Sequence, residues 1–181
     1  MISQLLDEAN EKMDQAVAHT VQEFGTVRTG RANPGLLSRV MVDYYGTKTP
    51  LQQLASFSVP EARMLLVQPY DKSAIAGIER GIQEADLGLN PSNDGNVIRL
   101  AFPSLTEERR RDLIKVVHRL AEDGRVAVRN IRRHAKDDIE AEEISEDDIR
   151  RAEKELQEYT DTHCSAIDDA MAKKEEELLE V

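Results

Sequence analysis

The sequence predicts an α+β protein in which a small β/α/β domain is inserted into a long three-helix bundle. Three observations carry that expectation. Apolar residues recur at helical spacing near both ends of the chain, while the middle switches to short runs of β-branched and aromatic residues. Aromatic residues make up 4% of the sequence and charged residues 33%, with no Trp. Long helices packed on Leu, Ile, Val and Ala suit that balance better than a wide sheet sandwich.

The first helix is expected over residues 1–28, where Ile2, Leu6, Ala9, Met13, Val17, Val21, Phe24 and Val27 follow one another by threes and fours. Gly30 and Pro34 end it. From about residue 31 to 103 the runs VMVDYYGTKTP, LASFSVPEARMLLVQPY and NVIRLAFP, punctuated by Gly, Pro and Asn-Asp-Gly, read as short strands. Between them Ile75, Ile78, Ile82 and Ala85 mark a helix, with Asp71 as its N-cap. The helical pattern returns after Ser104. Ser104 with Glu107, or Thr106 in its place, caps a helix whose core residues are Leu113, Val117, Leu120, Val128, Ile131 and Ile139. After a turn near Glu143, Ser145 with Asp148 opens a third long helix on Ile149, Ala152, Leu156, Tyr159, His163, Ile167, Ala170 and Leu178.

Each long helix is apolar on one side only and must bury that side against the others. The expected organisation is a discontinuous bundle, residues 1–29 and 105–181, with an α/β domain over residues 30–104. Two chain segments then join the bodies. Thr29, Gly30 and Arg31 on one, and Pro103 and Ser104 on the other, form the expected hinge.

The formal net charge of −11 disfavours indiscriminate binding to nucleic acid. Cys164 is the only cysteine, which excludes an internal disulfide and a thiolate metal cage and fits a reducing cytoplasm. The acidic N-terminus does not resemble a signal peptide, and no apolar run approaches a membrane span, so a cytoplasmic protein is expected. His19, His118, His134 and His163 are dispersed, so no catalytic set and no metal site can be drawn. No GxxxxGK[ST] phosphate loop is present. The expectation is a protein that is not an enzyme and carries no cofactor and no metal.

Against that acidic background, GRVAVRNIRRHAK at residues 124–136 holds five Arg or Lys residues and no carboxylate. With Leu113 at zero and about 100° per residue, the core positions Val117, Leu120, Val128 and Ile131 lie within roughly 60° of it. Arg111, His118, Arg125, Arg129, Arg132 and Lys136 fall between about 100° and 160°, in one row, and Arg133 at about 200° widens it. Glu122, Asp123, Asp137 and Glu140 are expected off the row. Arg28 and Arg31 add positive charge near the joint. Guanidinium planes take phosphate by paired hydrogen bonds, so the row suits a polyanion, unless carboxylates of a neighbouring helix pair with it. With no helix-turn-helix, zinc finger or aromatic RNA-binding strand in sight, structured RNA is the better match.

The runs RTGRANP at 28–34, YYGTKTPL at 44–51, DLGLNPSNDGNVIRLAFPSLTEERRRDL at 86–113, VAVRNIRRHA at 126–135 and EISEDD at 143–148 resemble the ribosome recycling factor family, in order and over nearly the whole chain. The resemblance implies an L-shaped protein, with the bundle and the β/α/β domain meeting at a flexible joint. It implies a cytoplasmic, monomeric factor that binds ribosomes after translation termination. With elongation factor G and GTP hydrolysis by that partner, such a factor splits the subunits and releases messenger and transfer RNA. The bundle would lie on large-subunit ribosomal RNA. Arg28, Arg31, Arg129, Arg132 and Arg133 match the family's arginine pattern, and Arg110 and Arg125 extend it. The link KDDIEAEEISEDD departs from that pattern, being shorter and more acidic. The alternative from another class is an acidic helical scaffold or chaperone-like module that binds proteins.

Among single residues, His163 reads as a satisfied core histidine and Cys164 as a partly buried thiol. Gly25 and Gly124, inside helical patterns, point to close packing or bending. Tyr44 and Tyr45, alternating on a strand, would place one ring inside and one outside.

Overall fold

The structure, a computed structural model, describes residues 1–180. In chain order its elements are α1 (Ile2–Gly25), β1 (Met41–Tyr44), β2 (Thr47–Pro50), β3 (Ala55–Glu61), β4 (Met64–Pro69), α2 (Ile75–Glu84), β5 (Pro91–Asn93), β6 (Ile98–Ala101), α3 (Glu107–Glu140) and α4 (Glu146–Leu179), with short 3-10 turns between some of them. The contacts divide the chain into two compact units. One is residues 1–29 with the chain from Thr106 onward, and the other is Gly30–Leu105.

In the first unit α1, α3 and α4 pack against one another pairwise. Leu6, Met13, Thr20 and Val27 are all buried on or just past α1, at intervals of seven, which is the seam of a slightly coiled bundle. The expected stripe is corrected at one position: Val21 is 47% exposed and Thr20 takes the seam at 3%. Strict seven-residue recurrence overrides side-chain chemistry there. The buried Thr20 hydroxyl stays satisfied by donating to the Ala16 carbonyl oxygen at 2.9 Å.

The helix stops at Gly25, earlier than the expected 28, and the Thr26 hydroxyl donates to the Glu23 carbonyl oxygen at 2.6 Å. Gly25 is therefore a helix end with open space around its α-carbon, not a packing position. Gly124 is the packing position, as its surroundings on α1 and α4 make plain: a Cβ there would meet Thr20 and Ile167. Facing these residues, α3 buries Leu113, Val117, Ala121, Gly124, Val128, Ala135 and Ile139, with Leu120 and Ile131 half-buried. The small residues Ala121, Gly124 and Ala135 let the helices approach closely.

Thr106, not Ser104, caps α3, its hydroxyl oxygen accepting from Arg109 N–H at 3.1 Å, with Glu107 and Glu108 in the favourable first turn. Ser145 caps α4 by accepting from Asp148 N–H at 3.2 Å and donates its own proton to Asp148 Oδ2 at 2.7 Å. His163 is 7% exposed, with its ring nitrogens 2.6 Å from Asp14 Oδ1 and 2.6 Å from the Tyr159 carbonyl oxygen. It is the satisfied core histidine the sequence suggested. Cys164 beside it is half-buried, and burial pushes its thiol pKa up.

In the second unit the three strand-like runs resolve into five strands, and a sixth, β5, forms at Pro91–Asn93 outside them. A four-stranded antiparallel sheet runs β3-β4-β6-β5, and β1 pairs with β2 in a separate hairpin. Alternation puts Leu65 and Val67 of β4 and Ile98 and Leu100 of β6 inward, none of them exposed. From α2, Ile75, Ile78 and Ile82 join the same core as Leu37, Val42 and Leu51. Burial of each such side chain contributes about 1.5–3 kcal/mol before entropy is counted.

Two local expectations are revised here. Ala85 lies past the end of α2 and is exposed, while Gly81 occupies the buried face. Asp71 caps a 3-10 turn, Lys72–Ala74, that leads into α2 and accepts from Ser73 N–H at 2.9 Å. Tyr44 ends β1 half-buried, its hydroxyl donating to Asp71 Oδ2 at 2.8 Å. Tyr45 sits in the hairpin turn at φ 49°, is 80% exposed, and meets Tyr44 edge-on with ring centroids 4.5 Å apart.

Candidate nucleic-acid interface

A helix of 34 residues carries the basic row, so its side chains are spaced along a rod rather than gathered in a pocket. From Arg111 to Lys136 the row covers roughly 38 Å at about 1.5 Å per residue. The buried seam fixes its direction: with Val117, Gly124 and Val128 locked inward, the residues at about 100–160° must lie along the edge facing α4.

That edge is largely charge-paired. Arg125 is held twice, with Nε donating to Glu122 Oε2 at 3.0 Å and Nη1 to Asp168 Oδ1 of α4 at 2.6 Å. Its side chain is 19% exposed. Burial alone would lower the Arg125 pKa, but the hydrogen bonds to Glu122 and Asp168 outweigh it and raise it. Arg129 Nη1 reaches Glu122 Oε1 at 3.3 Å. Glu122 is consequently held below the usual carboxylate range, first by the Arg125 hydrogen bond and then by the two nearby positive charges. Lys136 lies 3.4 Å from Glu153 of α4 and 3.5 Å from Glu140, and Glu153 chiefly raises its pKa. Arg111 pairs with Glu107 at 2.5 Å, and His118 contacts Glu175 of α4.

The expectation that the acidic residues lie off the row is thus corrected at Glu122 and Glu140. Both are one turn from basic residues on the same helix, where oppositely charged side chains meet.

Three arginines stand apart from this pattern or near its exposed margin. Arg132 is half-buried and donates to the Gln157 side-chain oxygen of α4, a neutral partner that leaves the positive charge uncompensated. Arg133 is exposed and makes no ion pair among the described residues. Arg129 is 51% exposed with a single long contact to Glu122. Arg129, Arg132 and Arg133 therefore form a compact cationic group within little more than one turn.

Arg110 lies half-buried in the first turn of α3, and Arg28 is exposed just after α1, neither with an ion pair among the described residues. Arg31, which belongs to the other unit, is exposed and has an interaction partner. Two cations absent from the sequence-based set are Lys115 and Arg119, both exposed and without an ion pair among the described residues. They lie at about 200° and 240° on the same wheel, beside Arg133, and a wider sector would have included them.

Gly30 has φ +77°, the left-handed region, and Pro103 O and Leu105 Cγ lie 3.5 and 3.4 Å from where its Cβ would stand. The chain passes between the two units at Thr29–Gly30 and again at Leu105–Thr106. Among the described residues no group of His, Cys, Asp or Glu is placed to hold a metal ion, and no helix is long and apolar enough to cross a membrane.

The description "Ribosome recycling factor" belongs to the family model that matches residues 20–179. Ribosome-recycling factors of Bacillus cereus strain AH187 and of Acidothermus cellulolyticus are 55% and 54% identical over 185 residues, covering the whole of both chains in each case. A solution structure of a ribosome recycling factor superposes with a TM-score of 0.77 at 43% identity, covering 99% of this chain and 98% of that one. A second match, at TM-score 0.64 and 43% identity over 99% and 100% of the chains, is the T. thermophilus factor placed with E. coli elongation factor G on the E. coli post-termination complex. The fold, the full-length identity and the family match agree, and the chain belongs to the ribosome recycling factor family.

Proposed function

We propose that this protein recycles ribosomes in the cytoplasm: it binds the post-termination ribosome and, with elongation factor G, separates the subunits so that messenger and transfer RNA are released. The chain acts without chemistry of its own, and GTP hydrolysis is the partner's. Family membership supports this, as does the solved relative placed with elongation factor G on a post-termination complex.

The observation that carries the docking mode is the group Arg129, Arg132 and Arg133, whose charge the bundle leaves largely uncompensated at Arg132 and Arg133. These guanidiniums contact phosphates of large-subunit ribosomal RNA, with Arg28, Arg31 and Arg110 as further contacts. Arg125, half-buried and doubly paired, chiefly ties α3 to α4. The other part of the reading is a hinge. Residues 1–29 and 105–181 act as one domain and 30–104 as a second, moving about Thr29, Gly30, Arg31, Pro103 and Ser104.

The test is a subunit-dissociation assay on post-termination ribosomes, with and without elongation factor G and GTP. The reading predicts splitting only when the protein, the elongation factor and GTP are all present. No splitting, together with salt-insensitive association to a protein, would support the helical scaffold instead.

A further inference from the structure

We infer that Glu122 is a built-in competitor for the phosphates taken up by this face of α3, and that it sets how readily the protein leaves its polyanionic partner. The inference rests on the docking reading above.

Its basis is the way one carboxylate divides between two cations. Glu122 Oε2 accepts from Arg125 at 3.0 Å, and Oε1 accepts from Arg129, one turn further on, at 3.3 Å. A phosphate offers the same kind of oxygens to the same donors. To take Arg129 Nη1 it must displace Glu122 Oε1, and at any of the other Arg129 donors it lies beside a carboxylate that Arg125 still holds. Arg125 does not follow Arg129 out, because Asp168 keeps its Nη1 at 2.6 Å.

The two cations therefore differ in role. Arg125 anchors the competitor and Arg129 is contested, while Arg132 and Arg133, which meet no carboxylate among the described residues, grip without internal competition. Glu122 is 53% exposed and Arg129 51%, so their pair is weak and exchanges easily with an arriving phosphate. A weak internal rival lowers affinity modestly. That suits a factor that must bind ribosomes and then depart in every cycle.

The experiment compares the full-length protein, Glu122→Gln and Glu155→Gln for binding to purified vacant ribosomes from about 50 to 300 mM salt. Glu155 contacts Tyr159 on α4 and no arginine, so its variant makes the same change in net charge away from the row. The inference predicts that Glu122→Gln binds about two- to fivefold tighter, with slower dissociation and a log-log salt slope steeper by about 0.7–0.9. Glu155→Gln should match the wild type.

Unchanged binding by Glu122→Gln would overturn the inference. Weaker binding would also overturn it, because the carboxylate would then be positioning the guanidiniums. Equal tightening by Glu155→Gln would replace local competition with net charge. Loss of salt-dependent binding already in the wild type would remove the docking reading and this inference with it, an outcome separate from a failure of Glu122→Gln alone.

Discussion

The α-carbon of Gly124 on α3 faces Thr20 on α1 so closely that a Cβ at residue 124 would stand 2.3 Å from the Thr20 hydroxyl oxygen and 3.0 Å from its methyl carbon. Ile167 of α4 lies 3.1 Å away on the other side. All three long helices converge at this point. Gly124→Ala gains about 1 kcal/mol of helix propensity but forces a clash on both neighbours. The expected net loss is about 1–2 kcal/mol, read by urea unfolding of the whole chain. Adding Thr20→Ala should return part of it. A variant as stable as the wild type would mean that Thr20 swings aside at no cost.

The turn that starts α2 should sense acid. Hydrogen bonds from Ser73 and Tyr44 hold the Asp71 carboxyl below the usual range. A depressed folded-state pKa contributes stability that is present above the ordinary carboxylate value and lost as pH falls through the folded value. The thermal midpoint should therefore fall in acid more steeply in the wild type than in Asp71→Asn. Parallel pH profiles for the two proteins would contradict this account of the cap.

Gly30 should tolerate substitution poorly although it is a single residue near the end of a unit. At φ +77° an L side chain is strained, and Gly30→Ala is expected to cost about 1–2 kcal/mol. Thr29→Ala, one residue earlier, should cost little by comparison. The two are compared by urea unfolding, and equal losses would remove the special role of the left-handed residue.

Much of the fold was legible because long helices announce themselves through periodicity, and the caps Ser145 and Asp71 through residue type. Sequence pattern and structure part where register competes with chemistry. Val21 fits the helical spacing of core, yet the seven-residue seam selects Thr20, for which the absent side chain of Gly124 makes room. Tyr45 looked like a strand residue because its positive φ leaves no trace in composition. The basic row was legible as a row, but its pairing was not. Asp168, Glu153 and Gln157 belong to α4, and their distance from α3 in sequence hides that they face Arg125, Lys136 and Arg132.

The central claim concerns the cationic group on α3 that the bundle leaves incompletely compensated. Its most direct test is ribosome binding by wild type and Arg132→Ala/Arg133→Ala across a salt series, with helix content checked by circular dichroism. Each lost phosphate contact should flatten the log-log slope by about 0.7–0.9, so the double variant should bind more weakly with a slope shallower by roughly 1.5. Unchanged affinity and slope in a fully helical variant would contradict the account.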